Sequence, residues 1–206
     1  PHIQVKGILR NLLKDRNVRA IIVAVLGYYG SFGIYESIWA IYLDDLGASQ
    51  IFIGFQLTLF AIPMILVAPF SGKLAERKGG LSLALFAIAI SIPAVALYGM
   101  TNNLFLLTFI LCVHAISDAT VVPAIQLSMS KLAGDAQATG QGLLNASGLA
   151  VAAGVALGSG VIYQNFGPFW LFAGWALVMT VTTSAAAFLG RDELRREDNL
   201  RSHPRP

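Results

Sequence analysis

The 206-residue chain is 56% hydrophobic and only 12% charged, with a formal net charge of +3. Ordinary soluble domains carry about 25% charged residues, so a water-soluble domain of this length could not hide so much apolar surface. The small positive balance does not point to nucleic acid, because the basic residues flank apolar runs and are not interleaved with aromatics on a polar face.

Segment 1–17 (PHIQVKGILRNLLKDRN) is basic and weakly amphipathic, with Ile8, Leu9, Leu12 and Leu13 on one side. It reads as a cytoplasmic surface helix or the end of a linker. Six long apolar stretches follow, at about 18–44, 50–74, 81–100, 104–130, 137–163 and 168–189. Each holds about twenty residues or more, enough to cross a hydrocarbon core of roughly 30 Å at ~1.5 Å per residue. The runs are continuously apolar rather than alternating, which argues for helices and against a barrel. The expected fold is an all-α membrane protein with a six-helix bundle over 18–189.

Turn signals separate the stretches: Asp44-Asp45-Leu46-Gly47, Gly79-Gly80, Asn102-Asn103 and Asn165-Phe166-Gly167-Pro168. Pro63, Pro69, Pro93 and Pro123 are expected to bend their helices. Gly154 and Gly158 form a small-xxx-small pair expected to draw helices together. The segment 190–206 is expected to be a charged, mobile cytoplasmic tail. Cys112 is the single cysteine, so there is no internal disulfide and no cysteine-based metal site. No metal-ligand cluster, P-loop or nucleotide fingerprint is visible, and no cofactor is implied. The first apolar run is too long for a cleavable signal. Residue 1 is Pro, which suggests a start inside a larger reading frame.

All fourteen Lys and Arg residues fall in the N-terminal segment, the second-to-third loop (Lys73, Arg77, Lys78), the fourth-to-fifth loop (Lys131) and the C-terminal segment. With six crossings these all lie on one side. The positive-inside rule makes that side the cytoplasm and places both termini there. The third and sixth stretches carry no ionisable residue, and Gly72 and Gly79 are spaced like Gly160 and Gly167. Both features are faint signs of two inverted triplets, as in secondary transporters.

The loop Gly72-Lys73-Leu74-Ala75-Glu76-Arg77-Lys78-Gly79 resembles the cytoplasmic signature loop of the major facilitator superfamily, matching it at Gly72, Glu76, Arg77 and Gly79. Gly80 and Leu81 follow where the family often continues with basic residues, which suits the more degenerate second copy of that loop. The segment 140–168 also resembles the eleventh helix and following turn of such proteins. The resemblance implies the C-terminal six-helix half of a twelve-helix transporter of the drug:proton antiporter type, in an inner membrane. It implies as partners the lipid bilayer, protons, a small-molecule substrate, and an N-terminal half or a second copy. Within the loop, Gly72 is expected to let another helix approach, and Glu76 to favour a helix N-terminus. The four residues would form a gate; the alternative is a charged turn that anchors two helices.

Glu36 lies roughly 12 Å from the outer end of the first helix at 1.5 Å per residue. His114 and Asp118 share one face near the middle of the fourth, at i and i+4. An ionisable group at membrane depth costs roughly 2.5–3.5 kcal/mol, so it usually faces a cavity or a partner. These three residues are candidates for proton coupling in a shared aqueous crevice. The alternatives are a structural His–Asp pair, and for Glu36 a backbone hydrogen bond or a direct substrate contact. Tyr28, Phe32, Tyr35, Trp39 and Tyr42 form an aromatic stripe that could line the cavity or simply pack. Asn145, on a face with Gln141, could contact substrate or another helix.

The leading functional expectation is half of a secondary active transporter, with proton-coupled efflux of a small amphipathic compound by alternating access and no enzymatic activity. The alternatives are proton-coupled uptake of a small metabolite, an intramembrane serine hydrolase using Ser147 and His114, and a non-transporting membrane scaffold.

Overall fold

A computed structural model describes residues 2–202; residue 1 and the last four, Arg205 among them, lie outside the described residues. The described residues form eight α-helices and one 3-10 turn: α1 (His2–Lys14), α2 (Arg16–Asp45), α3 (Gln50–Leu66), α4 (Ala68–Lys78), α5 (Gly80–Tyr98), α6 (Leu104–Ala133), the turn Gly134–Ala136, α7 (Gln137–Leu189) and α8 (Arg191–Ser202). Short polar side chains start the long helices. Asp15, Ser49 and Asn103 each accept hydrogen bonds from backbone amides of the first turn that have no partner inside the helix.

The break within α7 is a single residue. Gly167 takes φ +83 and ψ 173, a conformation open to glycine, and Pro168 then starts a fresh helical run without needing its missing amide. The result is two arms, 137–166 and 168–189. Likewise α3 and α4 form one bent unit with a 47° break near Pro63 and Pro69. The other two prolines act differently: α5 and α6 run through Pro93 and Pro123 as single helices. By length and composition three helical stretches can cross a membrane, or four with the bent pair. The third of them, Leu104–Leu189, contains the turn at 134–136 and the Gly167 break. This is an all-α membrane protein.

The bundle is organised around α2, which lies along both arms of α7. Parallel to it runs the first arm: Gly148 meets the ring of Tyr29, Gly33 meets the Ala152 backbone, and Ser37 and Ser159 share a hydrogen bond of 2.9 Å. Antiparallel runs the second arm: Gly27 meets Thr182, Gly30 meets the Trp175 ring, and Trp175 Nε1 donates to the Gly27 carbonyl at 3.0 Å. The glycines that allow close approach are thus Gly27, Gly30, Gly33 and Gly148. Gly154 and Gly158, expected to pack, have nothing within 4 Å of where a Cβ would stand. The same is true of Gly72, so no helix among the described residues packs closely there.

The basic segments gather at one end of the bundle. Arg16 lies 3.8 Å from Asp192, while Arg77, Lys131 and Arg196 line one cleft. The opposite end is closed by neutral and acidic groups. Tyr42 Oη donates to the carbonyls of Tyr98 and Thr101 at 2.6 and 2.9 Å, and Tyr163 Oη donates to Asp45 at 2.7 Å. The C-terminal segment, expected to be mobile, is helical through Ser202. It is docked by the buried Glu197, whose two carboxylate oxygens accept from the amides of Leu81 and Ser82 at 3.0 and 2.9 Å.

Candidate functional site

Two faces of α2 hold different chemistry. Tyr28, Tyr35, Trp39 and Tyr42 point inward and are buried. Tyr35 stacks on Phe60 at 4.4 Å between ring centroids, and Trp39 meets Tyr98 at 4.6 Å. Phe172 and His114 complete this aromatic core. The stripe expected from the sequence is therefore mostly packed, and Phe32 leaves it for a half-buried position. A small cavity remains beside the rings, lined by Ser31, Tyr35, Trp39, Tyr98 and His114 among others. It offers about 10 Å³ to the centre of a water molecule, room for one at most. Tyr35 Oη and Trp39 Nε1 are both buried there without a hydrogen-bond partner.

His114 and Asp118 do come together. His114 Nε2 lies 3.4 Å from Asp118 Oδ1, with both side chains only 2–3% exposed. The helical repeat of α6 puts them on one face, and α5 supplies their hydrogen-bonding partners. Tyr98 Oη sits 3.0 Å from His114 Nδ1, and Ser91 Oγ donates to Asp118 at 3.4 Å. The four side chains make a polar thread from Tyr98 to Ser91 inside an apolar interior, hydrogen-bonded at its two ends, while at its centre His114 Nε2 faces Asp118 without a hydrogen bond. A buried polar group without a partner costs about 1–3 kcal/mol, so the thread ties α5 to α6 in one register.

Glu36 is not part of that thread. It is exposed on the other face of α2, in line with Tyr29 and Phe32 at i−7 and i−4, and both of these are half-buried. Among the described residues it makes no hydrogen bond and no ion pair. Among the described residues the three ionisable groups share no crevice: one group opens outward and two are sealed inside. Asn145 is exposed on the first arm of α7. Its expected companion Gln141 is used structurally, donating to the Gln126 carbonyl at 2.8 Å and to Ser130 at 2.9 Å.

The loop residues Glu76, Arg77 and Gly79 line a cleft of about 340 Å³ together with Lys131, Glu193, Arg196 and Glu197. Glu76 was expected at a helix N-terminus, but Glu197 occupies that place at the start of α5. Gly79 has φ +85, and a Cβ on it would meet the Glu197 carboxylate. That explains both the glycine and its position. The loop between the bent α3–α4 unit and α5 lies within the family match, which covers residues 4–174 with the MFS_1-like family model.

The chain belongs to the MFS_1-like family. It is also similar to the inner membrane transport protein YdhP of Escherichia coli O157:H7, at 25% identity over 133 residues, which are 65% of this chain and 34% of that protein. The chain thus spans about a third of the length of the curated relative it matches. As a member of the MFS_1-like family it is a multi-pass membrane protein.

Sequence reasoning missed three members of the site. Ser91 and Tyr98 belong to a stretch without charge, and nothing in their spacing marks them as partners for α6. Glu197 lies among seven other charged residues between 191 and 201, and only its burial singles it out. Ser147 and His114 are not brought together: Ser147 Oγ donates to the Leu143 carbonyl of its own helix at 2.7 Å, and His114 bonds to Tyr98. A serine nucleophile would need the imidazole within hydrogen-bond reach, so the geometry gives the hydrolase alternative no support.

Proposed function

We propose that this chain is half of a secondary active transporter that exports a small amphipathic compound in exchange for protons, by alternating access. The observation that carries the reading is Glu36. Its carboxylate stands about 14 Å inside the Asp45 end of α2 at 1.5 Å per residue, exposed and without a partner among the described residues. Facing lipid there would cost roughly 2.5–3.5 kcal/mol. The face bearing Glu36, Tyr29 and Phe32 therefore meets a water-filled cavity, closed on its far side by an N-terminal half or a second copy. Such a cavity, between two halves related about an axis along the membrane normal, is where substrate binds in this architecture. A proton and an amphipathic substrate compete for Glu36 as the cavity opens to one side and then the other.

The sealed His114–Asp118 pair is a second protonatable site in this reading. It exchanges protons only when α2 and α6 part at the small cavity lined by Tyr35, Trp39 and His114. Gly72, Glu76, Arg77 and Gly79 form the cytoplasmic gate, with Glu197 holding the start of α5. Six crossings put both termini in the cytoplasm, because the basic segments share one end.

The test uses the full-length protein in liposomes. An imposed gradient of one pH unit supplies about 1.4 kcal/mol per proton, so substrate should accumulate against its own gradient by about tenfold. Flux that ignores the pH gradient would eliminate coupling.

A further inference from the structure

The second arm of α7 carries an exposed face. Trp170, Leu177, Val181 and Phe188 are all exposed there, and their spacings of 7, 4 and 7 bring them within about 40° around the helix. Ser184 is the polar residue of that face. An apolar stripe of this kind meets acyl chains in any multi-pass protein; its end is what sets it apart. Two guanidinium groups rest on the Phe188 ring, Arg16 at 5.4 Å and Arg191 at 5.2 Å from its centroid, within the range of cation–π attraction. Arg16 is also fixed by donating to the Phe188 carbonyl at 3.1 Å, and it lies 3.8 Å from Asp192. Arg191 has no carboxylate at ion-pair distance among the described residues. Of the two cations on the ring only Arg16 thus has a carboxylate near it, and that carboxylate is itself well exposed.

The level of this cluster fits a lipid headgroup. Phe188 is the next-to-last residue of α7, and the charged α8 begins at Arg191. The ring therefore marks the boundary between apolar and aqueous phases. From Phe188 to Leu177 the helix covers about 17 Å at 1.5 Å per residue, close to one leaflet of a roughly 30 Å hydrocarbon core. A phosphodiester accepts the fork of a guanidinium well, and the uncovered face below it matches the length of one tail.

We propose that Arg16, Arg191 and the Phe188–Leu177 face form a binding site for one anionic phospholipid. The phosphate lies between the two guanidinium groups and one acyl chain lies along Val181 and Leu177. The site is independent of the transport reading and would exist in a scaffold as well.

The test is native mass spectrometry of the purified full-length protein titrated with dioleoyl phosphatidylglycerol, with dioleoyl phosphatidylcholine as the neutral comparison. Each basic residue near an anionic surface contributes about fivefold in affinity. Arg191→Gln should weaken phosphatidylglycerol retention about fivefold, and R16Q/R191Q about twenty-five-fold. Arg10 and Arg195 are exposed, so R10Q/R195Q, with the same change in net charge, should stay within about twofold of wild type. An equal loss in R10Q/R195Q and R16Q/R191Q would show diffuse attraction and overturn the site, as would wild-type retention of phosphatidylcholine as strong as that of phosphatidylglycerol. Complete displacement of the lipid by millimolar inorganic phosphate would overturn the lipid assignment. Arg16 also holds α7, so if R16Q/R191Q fails to fold, Arg191→Gln alone decides; its retention at the wild-type level would end the proposal.

Discussion

Replacing Gly33 with Ala tests the packing on which the α2 face depends. A methyl group at Gly33 would stand 3.0 Å from both the carbonyl carbon and the Cα of Ala152, and would overlap the Ala152 carbonyl oxygen. These are backbone atoms of the first arm of α7, so no side chain can rotate out of the way. The helices must move apart by several tenths of an ångström, which strains the neighbouring Ser37–Ser159 hydrogen bond. Overpacking against a rigid neighbour costs about 2–3 kcal/mol, and removing a mid-helix glycine returns about 1 kcal/mol. The net loss is then about 1–2 kcal/mol. At roughly 2–4 °C per kcal/mol for a chain of this size, thermal unfolding in detergent should show a melting temperature lower by several degrees. Gly158→Ala is the matched control, in the same kind of helix but with nothing within 4 Å of the new methyl; it should be neutral or stabilising by up to about 1 kcal/mol. If Gly33→Ala melts at or above Gly158→Ala, the close approach of α2 to α7 is wrong.

Three further outcomes follow from individual contacts. Tyr42→Phe removes the donor to the Tyr98 and Thr101 carbonyls and should cost about 1–2 kcal/mol; an unchanged melting temperature would place that hydroxyl in solvent. Glu197→Gln takes the charged acceptor from both amides at the start of α5 and leaves one of them with no acceptor, and hydrogen exchange at Leu81 and Ser82 should accelerate at least tenfold, for about 1.5–3 kcal/mol of charge-assisted bonding. Unaltered exchange would mean that α8 does not cap α5. Asp118→Ala strips a buried partner from His114 and Ser91 and should cost about 1–3 kcal/mol for the polar groups left unpartnered. Asp118→Asn keeps the Ser91 contact and should cost less while slowing coupled flux; full coupled flux in Asp118→Asn would remove Asp118 from the relay.

The sequence made some parts of the molecule easy to read and others invisible, for physical reasons. Continuous apolar runs announce membrane helices because lipid demands them, and Gly47, Gly79 and Gly167 mark breaks because the chain takes positive φ there. The His114–Asp118 contact was legible because it is local, one helical turn apart. Its supports were not: Ser91 and Tyr98 are brought to α6 by tertiary packing, and every apolar stretch has some serine and half of them tyrosine. The aromatic stripe on α2 has the spacing of a lining and the burial of a core, and periodicity alone cannot separate the two. Gly154 and Gly158 carry the small-xxx-small pattern yet stay uncovered, while Gly27, Gly30 and Gly33 do the packing at spacings of three. The pattern shows that a backbone is accessible, not which neighbour uses it. Glu197 was hidden by its charged surroundings, since charge density suggests a solvated tail and says nothing of the one carboxylate that finds a helix start.

Glu36 carries the account, and the most direct measurement is ΔpH-driven substrate flux by Glu36→Gln in liposomes made with the full-length protein. The expected result is loss of accumulation driven by the pH gradient while substrate exchange at equal pH on both sides persists. Glu36→Gln that still concentrates substrate as well as wild type under the same gradient would contradict it.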